Sequence, residues 1–267
     1  VSAYAGNVSW LRYPSISPDG KSVVFSYGGD LYIVASEGGE ARKLTSHQAY
    51  DYSPVWSPDG KTIVFASDRF GNFDIYKVSV KGGVPQRLTT NSAKETPWTF
   101  TPDGKSILFT ARIQDPASSV LFPKSSMTEL YSVSIEGGRP QQVLATPAEE
   151  ISFVGNTGTF LYQDCKGGEN IWRKHHTSSI TRDIWMYDGA NHTKLTDFKG
   201  EDRTPRVSAD GKTVYFTSER DGSFNVYSFP IDNPSQVKKI TRHKTHPVRF
   251  LTVSDNGVLC YAYDGDI

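Results

Sequence analysis

The chain has 267 residues, 37% of them hydrophobic, which is enough for one sizeable core in one large domain or two small ones. Its 29 basic and 29 acidic residues give a formal net charge of zero, whereas proteins that bind nucleic acid or anionic membranes carry a basic excess. No apolar run approaches the roughly 20 residues that span a bilayer, so we expect neither a nucleic-acid partner nor a membrane span.

The turn-forming and aromatic content favours strands over helices. Twelve per cent of the residues are aromatic, and the chain has 23 glycines and 15 prolines, as is typical of many short strands joined by turns. Two cysteines, Cys165 and Cys260, are too few for a disulfide framework. They fall in repeat units that are not neighbours, so we expect two free thiols.

The chain repeats a short turn signal, first seen as S-P-D-G-K. The signal and its close variants occur at 17–21, 57–61, 101–105 and 208–212, with degenerate copies at 155–159 and 254–258. After each copy comes an apolar run, such as T-I-V-F-A-S at 62–67, and then an element such as D-I-Y at 74–76. Asp-Gly between apolar runs indicates a hairpin, because glycine accepts a positive φ.

Each repeat therefore predicts four strands, which we label a to d in chain order. Strand b is apolar at nearly every position, as expected for a sheet that is buried on both faces. Four strands in a repeat of roughly 40 to 55 residues are the signature of a β-propeller. We predict an all-β fold: a single six-bladed β-propeller over residues 1–267, with the sixth blade incomplete. The expected blades are 10–46, 47–90, 91–146, 147–197, 198–242 and 243–267.

The last repeat stops inside its third strand, at Ile267. A propeller needs its last blade to close the ring, because an open sheet edge promotes aggregation. We expect the natural protein to continue beyond this point. A closing strand supplied by residues 1–9 is the alternative.

The repeat resembles a known group of propellers. The stretch SPVWSPDGKTIVFASDRFGNFDIYKVSVKGG (53–83) is similar to the repeat shared by TolB, the tricorn proteases and related peptidase propellers. Two longer stretches narrow the resemblance: GENIWRKHHTSSITRDIWMYD (168–188) and GEDRTPRVSADGKTVYFTSERDGSFNVY (200–227). Both resemble the N-terminal propeller of bacterial tricorn-like serine peptidases. The resemblance covers essentially the whole chain and implies a six-bladed propeller of TolB/tricorn type.

In that family the catalytic serine lies in a separate peptidase domain, so the resemblance implies no catalytic residue in this chain. It implies a non-catalytic module that gates or guides peptide substrates and supports assembly. The expected partners are peptides or unfolded polypeptide, a downstream peptidase domain and further copies of the chain, with no cofactor. The alternatives are a TolB-like scaffold of the cell envelope and the propeller of a prolyl-oligopeptidase-like enzyme. We expect export to the periplasm, with the cytoplasm as the alternative.

A ring of polar residues at the mouth of the central channel is the first candidate site. Strand a is innermost, so the residues that enter it should surround the channel. Counting back from the recurring proline predicts a mouth of mixed charge that suits weak binding of varied peptides. The alternative is that these residues only solvate a water-filled channel. The predicted residues are Arg12, Tyr52, Glu95, Glu150, Arg203, Thr245 and His246.

The second candidate is a contact surface on an insertion. The junction between strands b and c is long at 111–129 and at 164–183, and the latter contains W-R-K-H-H-T-S-S. Adjacent side chains on an extended segment point apart, so we expect no metal at His175 and His176. Ser178 and Ser179 lack the G-x-S-x-G context of a nucleophile. A contact surface for a partner or a self-packed loop remains; the contact residues would be Trp172, Arg173, His175, His176 and Arg182.

Overall fold

The computed structural model describes residues 10–113, 127–168, 170 and 172–267, and every regular element in these ranges is a β-strand. The strands form five antiparallel four-stranded sheets and one two-stranded sheet. Within each four-stranded sheet the strands follow one another in chain order, as a propeller blade requires. The prediction of an all-β propeller is therefore confirmed.

Each sheet begins with a strand that borders the centre of the ring. These a strands are β1 (Arg12–Ile16), β5 (Asp51–Trp56), β9 (Thr96–Phe100), β13 (Ala148–Phe153), β17 (Asp202–Val207) and β21 (Arg249–Val253). The b strands pair with them and carry the apolar runs. They are β2 (Ser22–Tyr27), β6 (Thr62–Ser67), β10 (Ser106–Ala111), β14 (Phe160–Asp164), β18 (Thr213–Ser218) and β22 (Leu259–Ala262).

The outer strands are present in five sheets. The c strands are β3 (Asp30–Ala35), β7 (Asp74–Ser79), β11 (Glu129–Ser134), β15 (Ile184–Tyr187) and β19 (Asn225–Pro230). The d strands at the rim are short, which limits the exposed sheet edge. They are β4 (Arg42–Lys43), β8 (Gln86–Arg87), β12 (Gln141–Leu144), β16 (His192–Lys194) and β20 (Lys238–Lys239).

The hydrophobic core lies between neighbouring sheets. Val64 and Ile75 of the second sheet pack with Phe109 and Tyr131 of the third in one buried cluster. Each of the six junctions around the ring has a cluster of this kind. Strand b is therefore buried on both faces, which explains why its sequence is apolar at consecutive positions rather than at alternate ones.

The Asp-Gly turns between strands a and b are built alike. In the first, Ser17 Oγ donates a hydrogen bond of 2.6 Å to Asp19 Oδ1, which also accepts the Lys21 N–H at 3.1 Å. These bonds lower the pKa of Asp19 below its usual value, and the bond from Ser17 has the largest effect. Gly20 follows with φ +72°, a conformation that side chains disfavour. The recurring aspartates of this motif are turn formers.

The blade count differs from the prediction. Five blades are four-stranded, whereas the sixth unit forms only the two-stranded sheet of β21 and β22, so six blades are not present. This small sheet nevertheless completes the ring, since β21 contacts both β17 and β1. The Leu11 N–H also donates to the Gly265 carbonyl at 2.8 Å. Residues 1–9, the alternative closing strand, lie outside the described residues.

Candidate functional site

The innermost strands share a backbone irregularity where they enter the ring. The pairing register with strand b shifts in all six, which marks a β-bulge in each. In five of them the bulge holds a non-glycine residue with φ between +52° and +57°, a region that side chains rarely occupy. These residues are Tyr13, Ser53, Glu150, Thr204 and Phe250. In β9 the corresponding position is occupied by Pro97, paired with Phe109.

The bulges surround a central cavity of about 660 Å³. Residues from the a strands of all six units line it, so it lies on the axis of the ring. Residues from the ends of strands b and the loops between sheets complete the wall, which places the cavity at the face where the b–c loops emerge. We call this space the central cavity. Its size is in the range of ligand-binding sites in proteins.

One side of the central cavity is aromatic. The Tyr13 ring lies 4.4 Å from that of Phe250 and 5.3 Å from that of Tyr52, measured between centroids. Tyr52 meets Phe73 edge to face at 4.9 Å, and the Lys94 ammonium lies 5.4 Å from the Tyr52 centroid. Burial raises the pKa of Tyr52 far above its usual value, so this phenol stays neutral. The wall therefore offers neutral aromatic faces.

The other side carries charges that are largely paired. Arg206 forms a salt bridge of 2.5 Å with Glu150, and Arg203 forms one of 2.8 Å with the buried Glu201. Gln163 donates to Glu149 at 3.1 Å and accepts the Thr204 N–H at 3.0 Å. The described lining holds five basic side chains against two carboxylates. The cavity is therefore electropositive in its charge count, whereas the sequence predicts a balance.

Arg249 is a further basic residue of this wall. Burial and then the charge of Arg203 lower its pKa to about 10. The side chain stays protonated at neutral pH, but it is a partly desolvated cation. Its guanidinium carbon lies 4.6 Å from the ring centroid of Trp172, which supplies a favourable aromatic face.

Trp172 belongs to the insertion between strands b and c of blade four. We call residues 172–182 of this insertion the blade-four loop. Its course passes blade five, where the His175 N–H donates to Glu219 at 2.6 Å, and reaches unit six, where Trp172 lies 6.2 Å from the Phe250 ring. The Arg12 guanidinium of blade one lies 5.7 Å from the same indole. The loop therefore extends across the mouth of the central cavity.

The predicted ring of mouth residues is only partly assembled. Tyr52, Glu150 and Arg203 line the central cavity, and Arg12 lies beside Trp172 at its rim. Glu95 is fully buried in the turn before β9, away from the lining.

Two further predicted positions lie elsewhere in unit six. Thr245 is hydrogen-bonded to the Tyr263 hydroxyl at 3.2 Å, and His246 lies 3.3 Å from Asp264. Neither belongs to the cavity lining.

The predicted residues that lie outside the cavity lining have a common explanation. The recurring proline does not occupy the same place relative to the β-bulge in every unit. In units one, two and five the left-handed residue directly precedes proline, so counting back two residues reaches the ring. In unit three Pro97 itself takes the bulge position, so the ring residue is Thr96 rather than Glu95. In unit six Pro247 precedes the bulge, and the ring residue is Arg249. Pairing each a strand with its apolar b strand would have found these positions.

The insertion residues also separate into two groups. Trp172, Arg173 and His175 are exposed on the blade-four loop, whereas Arg182 is 3% exposed and its N–H donates to Glu201 at 3.0 Å. Arg182 is therefore buried at the end of the blade-four loop and offers no contact surface. His176 Nε2 lies 2.7 Å from Ser178 Oγ, a local contact in a turn.

Two site classes are not represented in the described part of the chain. It holds no group of three or more His, Cys, Asp or Glu side chains placed to bind a metal ion. It also has no helix with the length and apolarity to cross a membrane.

The ring of antiparallel sheets around an axial cavity defines the class of protein: a β-propeller whose inner strands present a mixed aromatic and basic surface. The family of the tricorn protease N-terminal beta propeller domain matches residues 8–267, and the chain belongs to that family. The resemblance predicted from residues 53–83 and the two longer stretches is thereby confirmed.

Individual relatives agree in fold. The crystal structure of the tricorn protease superposes with a TM-score of 0.78 at 23% identity, covering 96% of this chain and 24% of that one. Putative TolB from Agrobacterium tumefaciens gives a TM-score of 0.68 at 22% identity, covering 86% and 79%. The uncharacterized peptidase YuxL of Bacillus subtilis (strain 168) is 43% identical over 70 residues, 22% of this chain and 11% of that protein. The chain thus spans a minor part of its peptidase relatives.

Proposed function

We propose that the chain is a non-catalytic propeller module of a tricorn-like serine protease and that it guides or gates peptide substrates at the central cavity. The peptide-bond chemistry would then belong to a peptidase domain of the same protein. Membership of the tricorn N-terminal propeller family supports the first part of this proposal. The observation that carries the second part is the central cavity, to which all six units contribute.

The cavity wall suits an extended polypeptide better than one small metabolite. Tyr13, Tyr52 and Phe250 supply apolar faces for side chains, while Arg203 and Arg206 lie on the opposite side. A polypeptide presents apolar side chains and a polar backbone together, so it matches both surfaces. Because many of the charges are already paired within the wall, we expect weak binding of varied sequences rather than tight recognition of one.

The remaining parts of the proposal concern architecture and context. We propose that β21 and β22 are the inner half of a sixth blade, since the Leu11–Gly265 backbone bond repeats the bond of Asp51 N–H to the Gly29 carbonyl. The exposed outer side of the blade-four loop, with Arg173 and His175, would contact the peptidase domain or a second copy of the chain. Export to the periplasm is proposed, with the cytoplasm as the alternative.

Two alternative functions remain. A TolB-like scaffold of the cell envelope is supported by the TolB superposition, and the propeller of a prolyl-oligopeptidase-like enzyme by a TM-score of 0.61 with Pyrococcus horikoshii acylaminoacyl peptidase, at 17% identity. The three functions differ in the domain that is joined to the propeller. A hydrolase domain with G-x-S-x-G supports the last, and a tricorn-type peptidase domain supports the proposal.

The proposal is tested by binding of a fluorescent, unstructured acidic peptide to the 267-residue chain, followed by anisotropy. Lys94→Glu reverses one of the five basic charges of the central cavity and is exposed enough to leave the core intact. We expect it to weaken binding by about threefold to tenfold at low salt, with a smaller effect at high salt.

The matched control is Lys61→Glu. Lys61 lies in an a–b turn, on the opposite face of the ring, and its side chain is 80% exposed. It should leave the affinity unchanged. Equal losses in the two variants would mean that the peptide responds to net charge alone and would contradict binding in the cavity.

A further inference from the structure

The contacts of Trp172 are unusual for a loop side chain, because they lie on the far side of the ring. The loop begins and ends in blade four, yet the charged and aromatic groups beside the indole belong to units six and one. The ring centroid lies 4.6 Å from the Arg249 guanidinium carbon, 5.7 Å from that of Arg12 and 6.2 Å from the Phe250 centroid. Trp172 is at the same time 43% exposed and lines the central cavity.

Another aromatic residue shows what an ordinary contact of this type looks like. Phe70 lies 4.6 Å from the Arg87 guanidinium carbon and is 68% exposed. Both residues belong to blade two, so the contact is local and packs a turn against its own sheet. The groups around Trp172 instead come from two inner strands, β1 and β21, which are fixed in the ring independently of the loop.

Those groups have the chemistry of a receptor for a flat aromatic ring. Guanidinium groups favour the face of an aromatic ring, and a second ring placed edge-on, as Phe250 is to Trp172, adds to the attraction. The Arg249 guanidinium is partly buried and is repelled by the like charge of Arg203, so an aromatic face beside it stabilises the cation. The site opens into the central cavity, where a polypeptide would pass.

We propose that Arg12, Arg249 and Phe250 form a binding site for an aromatic side chain of the peptide ligand, and that Trp172 occupies this site from within the chain. The inference rests on the proposed function and specifies its ligand. A tryptophan, tyrosine or phenylalanine side chain of a passing peptide displaces Trp172 and takes its place. Peptides without aromatic residues do not compete for the site.

The test uses a capped tripeptide, acetyl-Gly-fluorotryptophan-Gly-amide, whose fluorine NMR signal reports binding to the 267-residue chain. Trp172→Ala empties the site and so removes the internal competitor. We therefore expect the fluorotryptophan peptide to bind this variant with a dissociation constant about tenfold lower than that of the wild type. Trp172→Phe keeps an aromatic occupant and should bind as weakly as the wild type. Phe70→Ala removes the local aromatic contact in blade two and should change nothing.

Two further variants distinguish binding at the aromatic site from a gain in affinity that comes only from a wider cavity. Arg12→Met combined with Trp172→Ala should cancel the gain, because one of the two guanidinium groups is lost. Trp172→Leu removes the aromatic face with a smaller loss of packing, and it should reproduce the gain if Trp172→Ala unfolds. Thermal unfolding of each variant reports whether the fold is retained.

The competing probe is acetyl-Gly-Leu-Gly-amide. An equal gain in affinity for the leucine and fluorotryptophan peptides in Trp172→Ala would overturn the aromatic site while leaving peptide binding in the cavity intact. No gain for either peptide in both Trp172→Ala and Trp172→Leu would also overturn it. Failure of the proposed function would give a different result: the unstructured peptide would bind the Lys94→Glu variant and the wild type with the same affinity.

Discussion

Glu95 shows at the scale of one residue how the fold alters chemistry. Its carboxyl group is fully buried in the turn between blades two and three, where it is hydrogen-bonded to the Thr89 hydroxyl. That hydroxyl in turn accepts the Ile75 N–H at 2.9 Å. Burial raises the pKa of Glu95 to about 7 and outweighs the hydrogen bond. The carboxyl is therefore largely protonated in the folded chain at mildly acidic pH.

This shift predicts a pH dependence of stability. The pKa of Glu95 is higher in the folded chain, about 7, than the ordinary value of 4.5 expected on unfolding. Below pH 4.5 both states are protonated and stability is complete; between pH 4.5 and 7 the unfolded state ionises first and stability falls. Glu95→Gln should therefore raise the free energy of unfolding by about 1–3 kcal/mol at pH 8 and by little at pH 4. Urea unfolding at the two pH values measures it.

The control for that prediction is Glu136→Gln. The Glu136 side chain is 79% exposed beside Lys77, so its removal should change the stability equally little at both pH values. The account of Glu95 fails if Glu95→Gln and the wild type have the same pH dependence.

The ion pairs of blade two join residues that are distant in the sequence. Asp74 opens the c strand, and the arginine nearest to it in the sequence is Arg69. Asp74 nevertheless forms a salt bridge of 2.7 Å with Arg87, at the end of strand d, while Arg69 binds the buried Asp51 at 2.7 Å. Sequence spacing identifies these residues as structural, but only the pairing of strands shows which charges meet.

At the scale of the strand, the bulges are the elements that shape the cavity. A bulge inserts an extra residue and redirects the side chains beside it. Five non-glycine residues adopt a positive φ there, at a cost of about 1–2 kcal/mol each by comparison with right-handed conformations. The same cost at five positions around one cavity indicates that the conformation serves the cavity wall rather than the stability of each blade.

Ser53, with φ +54°, tests the conformational cost. Ser53→Gly removes the steric conflict of the side chain and should keep or raise stability, by up to about 1 kcal/mol. Ser53→Val places a β-branched side chain in the left-handed region and should destabilise the chain by about 2 kcal/mol. Chemical denaturation of the two variants and the wild type measures both effects.

Ser22→Val is the matched control. Ser22 opens the extended strand β2, where a β-branched residue is favoured, so the same substitution should be neutral or slightly stabilising. A Ser53→Val variant as stable as the wild type would show that the bulge relaxes without cost.

Features of the architecture that depend on a few neighbouring residues can be predicted from the sequence, whereas features that depend on distant contacts cannot. The Asp-Gly turns and apolar b strands are encoded within a few residues, so the repeat and the propeller fold are readable from the sequence. The ring positions are not, because Pro97 and Pro247 sit at different places relative to their bulges. The course of the loop that carries Trp172 depends on contacts with three other units, which no local pattern encodes.

At the scale of the whole molecule, five blades are four-stranded, and the two-stranded sheet of unit six closes the ring. The junction between units six and one has the smallest buried cluster, formed by Ile16, Val23 and Cys260 with Val34 beside it. The four junctions between the five complete blades gather residues from two full sheets. The cavity is nonetheless bounded on every side, because its wall needs only the a strands and their neighbours.

The proposed function requires that the central cavity bind unfolded polypeptide. Photo-crosslinking tests it most directly, with Lys94 replaced by benzoylphenylalanine and a labelled unstructured peptide added to the 267-residue chain. The reference position is Val84, which is 94% exposed on a c–d turn of the opposite face. The account predicts a peptide adduct at position 94 that excess unlabelled peptide suppresses, and little adduct at position 84. Equal yields at the two positions, or none at position 94, would contradict it.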